Sequence, residues 1–359
     1  MASIWGNNVK ISIYGESHGV SVGVVITGLP PGEKIDLNAI DLQMGRRIPG
    51  FNKDSSTLSE FDTAHIQSGV FEDKTTGAPL CAIIPNSEAD GKSYEALRRA
   101  PRPSHADYTG NTRFDGYNDF RGGGHFSGRL TAALVFAGAV CRQILSRRGI
   151  VIGSHASEIA SIKDTPFDPV LVSRDMLQRL SEQFFPVISP DAFKAMRVAI
   201  DNARNESDSV GGIVECAMTG LPAGIGSPIF DGVENCIASI VFGIPGVRGI
   251  EFGTGFDAAR MKGSGHNDMY YYDGQRILTR TNHHGGAIGG ITSGMPLIFK
   301  TAFKPTPSIG LPQESIDLDT NEEIMLSIQG RHDPCIVPRA IPAVEAAAAI
   351  ALLDMFFSV

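Results

Sequence analysis

Apolar and polar positions partly alternate through residues 9–14 (VKISIY) and 20–27 (VSVGVVIT), and both runs are rich in β-branched side chains. Two strands are predicted there. GLPPG at 28–32 marks a turn, and a short helix is predicted over 37–45 with Asp36 as its cap. A further strand is predicted over 78–84 (APLCAII). Residues 100–128 hold six glycines and two prolines and should be mostly loop. From 129 to about 147 the chain is apolar on most faces of a helical period, which predicts a buried helix. Residues 157–205 are more charged, with helices predicted around 173–184 and 190–200. DSVGGIVECAMTGLPAG then predicts strand followed by turn, and 296–302 another strand. Residues 339–357 predict a long apolar helix with Pro342 in its first turn.

The two ends echo one another. Thr27-Gly28-Leu29-Pro30-Pro31-Gly32 returns as Thr219-Gly220-Leu221-Pro222-Ala223-Gly224, and Thr76-Gly77-Ala78-Pro79-Leu80 as Ser293-Gly294-Met295-Pro296-Leu297. Arg121 and Arg129 precede one long apolar helix, and Arg331 and Arg339 stand at the same spacing before the other. The echoes keep their order. They predict one domain over 1–359 built from two pseudo-repeats, about 9–150 and 206–357, with an inserted segment at about 157–205. The expected fold class is α+β, with mainly antiparallel sheets and buried helices.

Composition narrows the function classes. The 359 residues are 42% hydrophobic and 19% charged, as in an ordinary globular protein. A net charge of −8 argues against general nucleic-acid binding, because phosphate would be repelled by the average surface. The N-terminus shows no basic region followed by an apolar stretch, and the run Leu130 to Cys141 is shorter than the ~20 residues of a membrane helix. A cytoplasmic protein without membrane partners is expected. The five cysteines are widely spaced and lack zinc-ligand patterns, so no metal site is expected and the thiols should be idle in a reducing compartment.

Against that acidic background, arginines and proton carriers gather in glycine-rich loops. YGESHG (14–19) sets His18 between two glycines, and RPSHADYTG (102–110) sets His105 beside Arg102 and Asp107. Either histidine could exchange protons near neutral pH, or simply bond a loop carbonyl. RGGGHFSGR (121–129) runs into the buried helix and resembles an anion cradle, with Arg121 and Arg129 for charge. It lacks the G-K-[ST] of a Walker loop, and its glycines are contiguous, unlike a dinucleotide fingerprint. GRRIPG with Lys53 places Arg46, Arg47 and Lys53 in one cationic loop, and GRHDPCIVPR places Arg331, His332 and Asp333 before a helix. KPTPSI (304–309) is a stiff hydroxyl-bearing loop, and NHHGGAIGG (282–290) is again glycine-rich. The simplest physical reading is a pocket for a multiply anionic small molecule. It could serve a phosphate-ester lyase, a phosphatase, or a binding protein without turnover.

These motifs together resemble the chorismate synthase family: YGESHG, GLPPG, GRRIPG, SGVFEDKTTGAPL, RPSHADYTG, RGGGHFSGR, GIEFGTGFDAARMKGS, NHHGGAIGGITSG, KPTPSI and GRHDPCIVPRAIPAVEAA. They occur in the family's order over about residues 6–356. The resemblance implies an anti-1,4 elimination of phosphate from 5-enolpyruvylshikimate 3-phosphate, giving chorismate. It implies reduced FMN, with NADPH as a possible reductant, in a homotetrameric β-α-β sandwich with internal pseudo-symmetry. By position, His18 would supply a proton to departing phosphate, His105 would protonate the flavin, and Asp333 would assist ring-proton removal. Arg47, Lys53, Arg102, Arg121 and Arg129 would bind the substrate's anionic groups. FMN contacts would come from His125, Phe126, Ser127, Gly246, Gly289, Lys304, Pro305, Thr306, Pro307, Ser308 and Arg331. His125, Phe126, Gly128, Lys53 and the Pro245-Gly246 pair depart from the common family pattern.

Overall fold

A computed structural model of the chain describes residues 3–48, 62–86, 97–328 and 333–358. The N-terminal strands are β1 (Ile4–Trp5), β2 (Lys10–Gly15), β3 (Ser21–Thr27) and β4 (His65–Ser68), followed by a small hairpin of β5 (Val70–Phe71) and β6 (Lys74–Thr75), then β7 (Leu80–Pro85). Five of them form one antiparallel sheet in the order β1-β2-β3-β7-β4. Alternation makes that sheet two-faced. Val22, Val24 and Ile26 on β3 stand opposite Ile84, Ala82 and Leu80 on β7, and all six are fully buried.

The second sheet uses β8 (Val151–Ile159), β9 (Ile162–Lys163), β10 (Gly212–Thr219) and β11 (Val247–Phe252). After two hairpins, β12 (Tyr270–Asp273) with β13 (Arg276–Thr279) and β14 (Ala287–Ile288) with β15 (Ile291–Thr292), it takes in β16 (Leu297–Phe303). The order is β11-β16-β10-β8-β9, antiparallel throughout. A last hairpin pairs β17 (Gln313–Asp317) with β18 (Glu322–Leu326).

Eight α-helices accompany the sheets among the described residues: α1 (Leu37–Arg46), α2 (Asp107–Arg113), α3 (Thr131–Arg147), α4 (Arg174–Leu180), α5 (Pro190–Asn205), α6 (Val233–Val241), α7 (Gly263–His266) and α8 (Val337–Phe356). Asp36 caps α1 by accepting from the Asn38 N–H, as the sequence predicts. Helix α3 packs on β3, α8 packs on β8 and β10, and the two helices pack on each other. They meet where Gly138 leaves room: a Cβ there would stand 2.2 Å from Ala346 Cβ. Between α1, α3 and α8 the buried Glu345 accepts from Arg46 and Arg142, which compensates the charges excluded from water. The fold class is α+β.

Several expectations need correction. Pro342 lies inside α8 rather than in its first turn, because the helix begins earlier, with Pro338 in the first turn. Residues 100–128 contain a helix, α2, despite their glycines. Strand β8 was not anticipated and runs through the expected start of the insertion at 157. The stretch Gly128–Arg147 is long and apolar enough to cross a membrane, contrary to the expected shortfall, and its most apolar window is 72% buried within the protein.

The sequence echoes have structural counterparts. Thr75 Oγ1 donates to Pro30 O (2.6 Å) and accepts from Glu33 N (2.9 Å), while Thr292 Oγ1 donates to Pro222 O (2.7 Å) and accepts from Ile225 N (2.9 Å). Gly28 and Gly220 share a left-handed φ, +84° and +82°, at the start of each turn. That φ favours glycine, and a Cβ at either position would strike a neighbouring carbonyl.

Candidate active site

Strand β2 ends at Gly15, and the chain turns through Glu16–Gly19 before β3. The turn is held from outside: Asn86 Nδ2 donates to Glu16 O (3.0 Å) and Gly19 O (2.8 Å), and Ser17 N donates to Gly124 O (3.0 Å). Gly124 belongs to the Arg121–Phe126 turn, in which Gly122, Gly123 and Gly124 all have positive φ (57°, 85° and 52°). The reason is space. A Cβ on Gly122 would lie 2.3 Å from His18 Nδ1, and one on Gly123 would lie 3.0 Å from His105 Cε1. Consecutive glycines therefore seat the two histidines side by side.

His105 is oriented from behind. Its Nδ1 stands 2.6 Å from Asp107 Oδ1, so Nδ1–H donates to the carboxylate and Nε2 is the nitrogen left beside Gly123. Arg102 grips the same carboxylate through Nε (2.7 Å) and NH2 (2.8 Å), and its NH1 donates to Ser308 Oγ (3.0 Å). Burial opposes ionisation of Asp107, but Arg102 and His105 outweigh it and hold the carboxyl well below its usual range. Lys304 donates to Ser104 O, which fastens the 304–308 loop to the His105 loop. Thr306 Oγ1 donates to Asp333 O (2.8 Å), which fastens it to the third predicted proton carrier.

From Asp333 the contacts lead back. Its Oδ2 accepts from Arg339 NH1 (2.7 Å), and Arg339 Nε donates to Arg47 O (2.9 Å). Arg47 and Arg129 both donate to Asp62, and Arg129 Nε donates to Asn86 Oδ1 (2.9 Å), the residue holding the His18 turn. The circuit closes through Gly122 and Gly123. It brings together His18, His105, Asp333, Arg47, Arg102, Arg129, Thr306 and Ser308, which the sequence scatters over three hundred residues.

Each predicted anion ligand among the described residues arrives with an acid. Asp62 serves Arg47 and Arg129, Asp107 serves Arg102, and Asp119 serves Arg121 through Nε (2.9 Å) and NH2 (2.7 Å). The bond from Arg121 holds the Asp119 carboxyl below its usual range, and the charge of His18 adds to the effect. Burial pushes the Arg47 guanidinium down to about 10, with Asp62 opposing and Arg339 and Arg129 reinforcing. Arg47 Nε is buried and has no hydrogen-bond partner among the described residues. Such an orphaned donor is costly unless a ligand meets it. Arg129 differs: Asn86, Asp62 and Pro85 O take its three nitrogens.

The other predicted residues are placed as follows. His125 Nδ1 stands 2.7 Å from Gly15 O and its Nε2 2.8 Å from Ser3 Oγ, so both ring nitrogens are engaged within the chain. Phe126 packs against Phe114 and over Gly110. Ser127 Oγ accepts from Arg129 N (3.3 Å), at the start of the turn leading into α3. Gly246 O accepts from Lys304 N (3.0 Å), so Gly246 joins the 304–308 loop, where the rings of Pro305 and Pro307 fix φ. Gly289 stands on a different set of contacts, at the tip of β14–β15, whose Gly290 packs on Ser227 and Gly232. Lys53 and Arg331 lie outside the described residues.

Sequence reasoning passed over Asp62, Asn86 and Asp119, and did not use Arg339 as a site residue. Only Arg339 carried a legible signal, the repeated arginine spacing before an apolar helix.

The family model described as chorismate synthase matches residues 9–357 of this chain. The chain belongs to the chorismate synthase family. Curated chorismate synthases from Korarchaeum cryptofilum and Thermococcus kodakarensis are 44% and 42% identical to it, over 98% and 97% of this chain and 96% of each relative. One from Dehalococcoides mccartyi is 43% identical over 99% of this chain and 96% of its own. A chorismate synthase crystal structure superposes with a TM-score of 0.77 at 27% identity, covering 99% of this chain and 93% of that one.

Proposed function

We propose that this chain catalyses the anti-1,4 elimination of phosphate from 5-enolpyruvylshikimate 3-phosphate to give chorismate, the last step of the shikimate pathway. It is a carbon–oxygen lyase. The C–O bond to phosphate breaks with its electron pair on the leaving group, a ring proton departs from the opposite face, and the reaction has no net redox change. Family membership supports this reading, and one observation of the fold carries it: a single circuit of contacts joins two seated histidines, Asp333 and the arginines Arg47, Arg102 and Arg129.

The substrate carries two carboxylates and a phosphate, about four negative charges near neutral pH. Arg47, with its unpartnered Nε, is the strongest candidate ligand for one of them, and Arg121 flanks the His18 turn. His18 is the acid for departing phosphate, next to Gly122 and within the field of Asp119. His105 is the acid on the flavin side, and Asp333 assists removal of the ring proton. Arg102 and Arg129 act chiefly by holding Asp107, Ser308 and Asn86, since their nitrogens are taken within the chain.

Bound reduced FMN would supply the transient electron density that helps phosphate leave. Gly128 and Gly289 would leave room for a flavin nucleotide: a Cβ built on either meets no heavy atom within 4 Å beyond its chain neighbours. Lys304 lies close enough to Arg248 to feel its charge, which concentrates cationic charge at the base of the 304–308 loop. Gly246, Lys304, Pro305, Thr306, Pro307 and Ser308 would contact the cofactor, as would Ser127.

The assembly we propose is a homotetramer of single-domain chains, each a β-α-β sandwich duplicated about 9–150 and 206–357. The matched strand orders β2-β3-β7-β4 and β8-β10-β16-β11 favour duplication, as do the equivalent Thr75 and Thr292 bonds, with β8 joining the second repeat from ahead of the inserted segment. Anaerobic turnover with reduced FMN tests the function. Wild-type chain should release phosphate and form chorismate, while His18→Ala and His105→Ala each lower the rate about 10²-fold or more. Unchanged rates would remove both histidines from the mechanism. Turnover with FMN and NADPH alone would identify the chain as its own flavin reductase.

A further inference from the structure

The aspartate between Arg47 and Arg129 has no part in the reaction as described, yet it occupies the centre of the arginine group. Asp62 is nearly buried, with its side chain 11% exposed beside the 4% of Arg47. Its oxygens are divided: Oδ2 accepts from Arg47 NH2 and Oδ1 from Arg129 NH1. Arg339 adjoins Arg47, donating to its carbonyl and repelling its guanidinium. Arg339 has its own carboxylate in Asp333, whereas Arg47 and Arg129 share Asp62. Without it, Arg47 would be a buried cation facing two others, and its cheapest response would be to swing toward water.

We propose that Asp62 is a positioning residue for the substrate's anionic end. It divides its two oxygens so that, among the described residues, Arg47 is held through NH2, with Nε left to meet the substrate. Through Arg129 and Asn86 the same carboxylate reaches the His18 turn. Anion recognition and placement of the phosphate-side acid therefore share one support. The 304–308 loop assigned to FMN reaches this group through Asp333 and Arg339, which meets Arg47 at its backbone carbonyl and not at the guanidinium that Asp62 holds. The inference rests on the proposed elimination being this chain's reaction.

Asp62→Asn and Asp62→Glu test it in the full-length protein with reduced FMN. Asp62→Asn should raise the KM for 5-enolpyruvylshikimate 3-phosphate about tenfold or more, the scale of losing one charge-assisted hydrogen bond. FMN affinity should stay at the wild-type value, and Asp62→Glu should recover part of the loss because it keeps the charge. A merely structural role would instead weaken FMN and substrate binding together. An unchanged substrate KM in folded Asp62→Asn overturns the proposal, as does parallel loss of FMN affinity. If Asp62→Asn does not fold, Asp62→Glu decides: one added methylene shifts both guanidiniums and raises the substrate KM at constant FMN affinity, and an unchanged KM overturns the idea. Absence of phosphate release by the wild-type chain would instead remove the reaction itself.

Discussion

At the residue scale, the site depends on glycines as much as on the groups that move protons. Gly122 and Gly123 have no chemistry of their own. They hold positive φ values and leave the volume that the rings of His18 and His105 occupy. Gly122→Ala would place a methyl 2.3 Å from His18 Nδ1 in a backbone region costing an L-residue about 1–2 kcal/mol. The ring yields more easily than the backbone, so turnover should fall about 10²-fold, as for loss of His18 itself. In the double variant Gly122→Ala/His18→Ala the losses should overlap rather than multiply, and single-turnover rates would measure the coupling. Multiplicative losses would mean that Gly122 acts on something other than His18. Asp107 makes a related point. It is visible in RPSHAD two residues after His105, but that it grips Arg102 while orienting His105 follows only from the folded loop.

At the element scale, the helices α3 and α8 are the joint on which both arginine-bearing loops turn. The loop of Arg121 and Arg129 enters α3, and that of Asp333 and Arg339 enters α8. The distance between these helices therefore sets the spacing of the site. Gly138 sets that distance, since a Cβ there would stand 2.2 Å from Ala346 Cβ and 2.3 Å from its Cα. Gly138→Ala should destabilise the chain by about 2 kcal/mol or more, because one helix must move. Thermal melting checks this, and an unchanged midpoint would show that the helices are less tightly joined than the contact implies. The two helices were legible as long apolar runs. Their mutual contact was not, because an all-round apolar helix does not reveal which face meets which neighbour.

At the scale of the whole molecule, a buried ionic group ties the 157–205 segment to the second sheet. His155 on β8 is fully buried, with Nδ1 2.7 Å from Asp164 Oδ2 and Nε2 2.9 Å from Glu215 Oε2 on the adjacent β10. Asp164 also accepts from Ile188 N and Ser189 N, and Glu215 from Phe167 N. Burial disfavours the imidazolium, but the two carboxylates outweigh it and raise the pKa above 6.5. A raised folded-state pKa contributes stability fully below the unfolded value of 6.5, and that contribution is lost as pH rises through the folded value. His155→Gln leaves two carboxylates without a cation and should cost about 3–5 kcal/mol at pH 6. The wild-type melting temperature should fall as pH rises above 6.5, and the variant should lack that fall. A wild-type alkaline fall unchanged in the variant would assign it to another group. The sequence by itself determined the fold class, the strands and helices with clear period, the echo between the two ends and the family, because all of these are written in local order and spacing. It also determined which residue types could bind an anion or carry a proton. Only the tertiary structure decided that His18 and His105 share one glycine turn, that His125 is engaged within the chain, and that Asp62, Asp107 and Asp119 divide the arginines among them. The physical reason is that a charge takes its role from its partners, and the partners of Arg47 and Arg129 are brought close only when two sheets close over two helices.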